Sequence, residues 1–322
     1  MLHIPLLRNG RSYRSLDVLR VPHHRTREPV VEISQANVGL IRRDLLDADA
    51  VRERLAEIPS AELLRICREA ADHFMTTRLP HGDGAQSPED YVQQVSATHG
   101  LPQVMARKNM SKIRTVMAEM TTVLRGLTRN LDLAVLDGGF TRMDGQELSF
   151  FPRRNSLGVA LPSNSPGVHS LWIPAFALKI PLVVKPGGAE PWTPYRMIQA
   201  LIRAGAPPDS LGYYPTDHTG AGQILRQCQR GMVFGDANST KLWANDSRIE
   251  VHGPGYSKIV IGRGSVDHWE DYLDVMMTGC DDDLDCRERR TVLHEYFRCV
   301  GARARSRNRG SAGGSTGHHP PP

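Results

Sequence analysis

The chain has 322 residues, 40% of them hydrophobic, with a formal net charge of +5. That length allows about two domains around a substantial core. No apolar run reaches the ~20 residues a membrane span needs, and MLHIPLLRNGRSYRS at the start lacks the apolar stretch of a signal peptide, so a globular cytoplasmic protein without membrane contact is expected. The charge is local: from Cys286 onward 8 Lys+Arg stand against 2 Asp+Glu, which places +6 there and leaves −1 on the rest. The body therefore has no general attraction for nucleic acid. Five cysteines (Cys67, Cys228, Cys280, Cys286, Cys299) form no even framework and are expected to be reduced. Cys280 and Cys286 flank DDDLD, without the second ligand pair and tight spacing of a zinc site.

In chain order, residues 1–130 read as a helical region. Apolar positions at helical spacing over 41–78 predict a helical pair interrupted at Pro59, with Ser60 capping the second helix. The Gly- and Pro-containing LPHGDGAQSPED reads as a polar connection. MARKNMSKIRTVMAEMTTVLRGL predicts one long amphipathic helix whose methionines fill core. LDLAVLDGG and ELSFFPRR predict a hairpin over 131–153. From 154 to 280 short apolar runs (SLGVALPS, PLVVKPG, SLGYYPTD, GMVFGDA, RIEVHG, SKIVIG) alternate with helical segments. That alternation implies parallel crossovers, hence an α/β doubly wound sheet. VDHWEDYLDVMM reads as a further helix. Residues 281–322, rich in Arg, Gly, Ser and Pro toward the end, read as a disordered basic tail.

Open parallel sheets take ligands outside the carboxyl ends of their strands. Those positions here are LPSNSPG, VVKPGGAEPWTP, YPTDHTGAG and VFGDANST. None carries the G-x-G-x-x-G turn of an ordinary dinucleotide fold. A strand followed by P-x-N-x-P, then a strand ending V-V-K-P with a nearby Glu and T-P opening a helix, resembles the cofactor domain of the aldehyde dehydrogenase superfamily. The resemblance runs from Ala106 to Met277 and points to the acyl-CoA reductase-like branch, which includes the fatty acyl-CoA reductases of bacterial bioluminescence. The K-P-G-x-x-E-P-W-T-P run is its most discriminating part.

The resemblance implies an oxidoreductase that interconverts aldehyde and acyl-CoA with NAD or NADP. Asn164 would stabilise an oxyanion through its side-chain amide; by its sequence position alone it equally suits a cap for a helix at Pro166. Lys185 and Glu190 would bracket the adenosine ribose, and Gly222, Gly235 and Asp236 would form the turns where backbone meets cofactor. Where hydrolytic relatives place a general-base Glu, this chain has Val251, with Glu250 beside it on the other strand face; coenzyme A is then the expected acyl acceptor rather than water. His252 reads as a structural histidine. The hairpin 131–153 would bridge subunits of a homo-oligomer.

The family's nucleophile lies in a segment of the type N-G-G-R-S-C, and no such segment occurs here. Cys286 is nearest but is flanked by Asp285, Arg287 and Glu288. Read one nucleotide on, the codons of CRERRTVLHEYF permit AENGGRSCMNTS. The expectation is a family frame lost between Met277 and Asp283, and a chain truncated before its catalytic Cys and inactive. The other reading is a non-catalytic nucleotide-binding or regulatory module with a basic tail.

Overall fold

A computed structural model describes residues 1–151, 154–163, 166–254, 261–262 and 264–273. The chain divides into two units, Met1–Tyr256 and Ser257–Pro322.

The first 34 residues, placed by sequence in a helical region, are strands: β1 (Leu2–Ile4), β2 (Leu6–Arg8), β3 (Arg11–Tyr13), β4 (Val18–Pro22) and β5 (Pro29–Ser34). Four of these are so short or polar that no period of two could be read from them. β5 sits between β1, parallel to it, and β4, antiparallel to it.

Helices α1 (Val38–Asp44), α2 (Ala48–Ala56) and α3 (Ser60–Thr76) follow. Asn37 caps α1, its side chain accepting from the Leu40 N–H at 2.8 Å. Ser60 does not cap α3 as its residue type suggests. It is the first helical residue, and its own N–H and hydroxyl donate to the Asp137 carboxylate at 2.9 and 2.8 Å. Asp137 also pairs with the buried Lys179. A distant carboxylate thus does the capping that the local sequence assigned to a serine.

The polar connection 79–90 contains a hairpin of β6 (Leu79–His81) and β7 (Gly84–Gln86), then a Ser87–Asp90 capping box that starts α4 (Pro88–His99). The long helix expected next is two, α5 (Gln103–Ala118) and α6 (Met120–Leu127), with Glu119 between them outside α-helical geometry. Met105, Met110, Met117 and Met120 are buried in the core as expected. The hairpin is shorter than its sequence outline. Residues 135–138 form helix α7 (Val135–Gly138), and the strands are β8 (Phe140–Met143) and β9 (Gln146–Ser149).

The main sheet adds β10 (Leu157–Ala160), helix α8 (Pro174–Ala177), β11 (Leu182–Lys185), α9 (Trp192–Arg203), β12 (Leu211–Tyr213), α10 (His218–Gln227), β13 (Arg230–Phe234), α11 (Ala237–Thr240) and β14 (Ile249–His252). Its order is β14-β13-β10-β11-β12-β2-β3. The first five strands are parallel, and β2 and β3 continue the sheet antiparallel. This is the α/β, doubly wound class that the alternating pattern predicts. Val159 and Val184 pack in the main core with α9, whereas Ala160 and Val183 pack with α10. Because neighbouring strand residues face opposite ways, α9 and α10 cover opposite faces.

Residues 192–201 of α9 are all buried, so every polar side chain there must find a partner inside. Arg196 finds several carbonyls: it donates to Phe74 O, Thr77 O and Gln86 O at 2.9–3.0 Å, closing the end of α3 against β7. With no carboxylate among those partners, burial lowers its pKa to about 10.

In the second unit, Val266–Tyr272 is a 3-10 helical segment kinked at His268. It covers the start of the helix expected over VDHWEDYLDVMM. Strand SKIVIG falls mostly outside the described residues, as do the rest of that helix, Cys280, Cys286 and the tail.

Candidate functional site

The strand order reverses at β10, between β11 on one side and β13 on the other. Open sheets part their loops at such a reversal, and the crevice lies outside the carboxyl ends. Four segments meet that description: 161–163 after β10, 186–191 after β11, 214–217 after β12 and 235–236 after β13.

Lys185 ends β11 and is half-buried. Burial lowers its pKa, with the Asp217 charge acting in the opposite direction. Among the described residues its amine forms no hydrogen bond or ion pair. The loop behind it is tightly placed. A Cβ on Gly187 would lie 2.1 Å from Pro162 O, so only glycine lets this loop lie flat on the one after β10. Ser163 Oγ accepts from the Ala189 N–H at 3.1 Å, and Thr98 Oγ1 donates to Ala189 O at 2.7 Å.

Glu190 departs from its expected role. It has no exposed surface. One carboxylate oxygen accepts from the Thr193 N–H and hydroxyl at 2.9 and 2.6 Å, and the other faces His169 Nε2 at 2.8 Å. Trp172 Nε1 can only donate, so His169 Nδ1 accepts from it and Nε2 carries the hydrogen offered to Glu190. Tyr91 OH continues the chain to Thr193 Oγ1 at 2.8 Å. Glu190 therefore holds the first turn of α9, and it has no free oxygen with which to meet a ribose. The K-P-G-x-x-E-P-W-T-P run is largely a packing motif: Glu190, Trp192 and Thr193 are all fully buried.

Gly222 lies within α10, where an added Cβ would meet only the mobile end of Arg226 at 3.1 Å. The position that requires glycine is Gly220, whose Cβ would fall 1.9 Å from Thr216 Oγ1; that hydroxyl donates to Ala36 O at 2.7 Å. Gly235 follows β13, and a side chain there would strike Ser239 Oγ at 2.2 Å. Asp236 caps α11, accepting from the Ser239 N–H and hydroxyl at 2.8 and 2.7 Å, and these bonds hold its pKa below the usual carboxylate range. Asp217 caps α10 in the same way through the Gly220 N–H at 2.8 Å. Both helix starts at the crevice are thus closed by carboxylates rather than left open to an anion. Asn164 lies outside the described residues.

Sequence reasoning overlooked Gly187, Gly220 and Asp217. The signals were present: tandem glycine directly after a strand, and an Asp just ahead of a helical run. His169 as the partner of Glu190 had no local signal, being twenty-one residues away.

At the end of β14, His252 stacks on Phe234 with ring centres 4.4 Å apart, and its Nε2 lies 2.9 Å from Glu250 Oε1. Val251 between them carries no titratable group. Of the cysteines, Cys67 and Cys228 are buried and their thiols are pushed up to about 12, so neither is a thiolate near neutral pH.

No protein-family model and no curated protein sequence matches the chain. Solved structures match its fold. A succinate-semialdehyde dehydrogenase from Burkholderia pseudomallei aligns with a TM-score of 0.65 at 14% identity, over 81% of this chain and 54% of that one. An aldehyde dehydrogenase from Brucella melitensis biovar abortus gives 0.64 at 15% identity, over 79% and 52%. A betaine aldehyde dehydrogenase from Staphylococcus aureus, solved with NAD+, gives 0.59 at 16%, over 79% and 52%. The fold is the one these dehydrogenases share, and the chain spans about half the length of the structures it matches.

Proposed function

We propose that the chain is the cofactor-binding part of an oxidoreductase of the aldehyde dehydrogenase type, with a small aldehyde or acyl-CoA as substrate and NAD or NADP as cofactor. The observation that carries this reading is Lys185: a half-buried ammonium without a hydrogen bond or ion pair among the described residues, at the carboxyl end of β11, beside the strand-order reversal, in a sheet with this fold. Lys185 suits the hydroxyls of a ribose, and Gly187 keeps the approach open by seating its loop flat. Glu190 does not suit that role and is assigned to α9. Bound NAD(P) would supply hydride transfer; Asn164 is proposed to polarise the substrate carbonyl.

The acyl-CoA reductase branch is the finer proposal. Val251 offers no base for water, and Glu250 beside it lies on the other strand face, which favours a thiol acceptor such as coenzyme A. The hairpin β8–β9, with Phe140 and Met143 exposed, is proposed to bridge subunits. With both described thiols buried and protonated, this chain by itself is proposed not to turn over. The same two buried thiols favour the second reading, a non-catalytic nucleotide-binding or regulatory module with a basic tail.

Calorimetry with NAD and NADP tests the site. Weak, saturable binding is expected, weakened about tenfold by Lys185→Ala, the scale of one lost hydrogen bond to a charged group. Tight binding unaffected by Lys185→Ala would refute the assignment. Measurable turnover would refute inactivity and with it the second reading.

A further inference from the structure

At the opposite, amino ends of the parallel strands lies a cavity of about 270 Å³ that the proposed function does not use. Leu157 and Arg230, the first residues of β10 and β13, form part of its lining. The rest of its apolar wall comes from Leu136 of α7, Phe150 and Phe151 after β9, and Ala175, Leu178 and Ile180 around α8.

Its charge is one-sided. Among the described residues, Arg154, Lys179 and Arg230 line it and no carboxylate does. Lys179 is buried, with its ammonium turned to Asp137 and Ala56 O, so only its stem faces the cavity as apolar surface. Arg154 and Arg230 are exposed. Arg230 donates one N–H to Ser247 O at 2.9 Å, which leaves most of its fork free. Arg154 forms no hydrogen bond or ion pair among the described residues. A half-open apolar cavity beside two guanidinium groups that have no carboxylate partner among the described residues matches one ligand chemistry: an apolar tail ending in a single anion that both forks can receive.

We propose that this cavity binds a free amphipathic monocarboxylate, a short- to medium-chain fatty acid anion, with its tail along Phe150, Ala175, Leu178 and Ile180 and its carboxylate between Arg154 and Arg230. The site lies at the opposite ends of the strands from Lys185, so its occupancy is separable from cofactor binding and the proposal does not depend on it.

The test is calorimetry of the full chain with octanoate, octan-1-ol and octylammonium as probes. One octanoate per chain is expected, with octan-1-ol at least about tenfold weaker and octylammonium weaker still, since a hydrogen bond to a charged group is worth a factor of about ten or more. Arg154→Gln, an exposed substitution that leaves the core intact, should weaken octanoate about tenfold. Ala175→Phe should abolish binding by filling the cavity, with an unchanged circular-dichroism spectrum and a cooperative urea transition as the check that the sheet is formed. Octanol binding as well as octanoate, no saturable octanoate binding, or wild-type affinity in both Arg154→Gln and Arg230→Gln would each overturn the proposal. So would concentration-dependent self-association that blocks octanoate and is broken by Phe151→Asp, because the face would then be an interface between copies of this chain.

Discussion

His81 should make the stability of this protein fall in mild acid, and by a calculable amount. It closes β6 with 1% of its surface exposed. Its ring stacks on Trp192 at 5.4 Å and meets Tyr195 edge-on at 5.1 Å, and neither ring nitrogen has a hydrogen-bond partner among the described residues. Burial first, and the nearby Arg196 charge second, push its pKa down from 6.5 to about 4. Between those values the unfolded chain binds a proton that the folded chain refuses, so stability rises with pH across the window. The contribution is whole above about pH 6.5 and is lost as the pH falls toward about 4. At 1.36 kcal/mol per unit the full effect is about 3 kcal/mol. Urea unfolding at several pH values between about 8 and 4.5, on the wild type and on His81→Leu, isolates it. The variant keeps the volume and removes the titration, so the stability of the wild type relative to the variant should fall by up to about 3 kcal/mol as pH falls. His3, whose pKa is also lowered, acts equally in both proteins and cancels. Parallel curves across the range would refute the reasoning.

Two further outcomes follow from buried polar groups. Arg196→Met should destabilise the fold by about 3 kcal/mol or more, read as a lower urea midpoint, because it strands the carbonyls of Phe74, Thr77 and Gln86 inside the core. Glu190→Gln should lower the melting temperature by disrupting the His169–Glu190–Thr193 network, while leaving NAD affinity within about twofold; a tenfold loss of NAD affinity in a stable variant would return Glu190 to the cofactor.

Much of the sheet was legible because its parallel strands are short, largely apolar runs of three to five residues punctuated by glycine and proline, and its helices keep a clear 3.6 period, α9 and α10 above all. The N-terminal strands were not legible, since β1, β2 and β3 are three residues each and take their identity from the strands they pair with. Leu131–Gly139 looked extended because Leu, Val and Ala suit a strand as well as a helix, and the turn at α7 is held partly by Asp137 reaching Ser60.

From local order alone came the fold class, the loops at the carboxyl ends and the importance of the run from Lys185 to Pro194. What each residue in that run does came from elsewhere in the chain. Lys185 has no hydrogen bond or ion pair among the described residues, only the more distant charge of Asp217, whereas Glu190 is sealed because His169 and Thr193 bond to it and Trp172 and Tyr91 bond to those two in turn. A carboxylate's chemistry depends on which donors surround it and how much water remains, and both are set by packing between residues far apart in sequence.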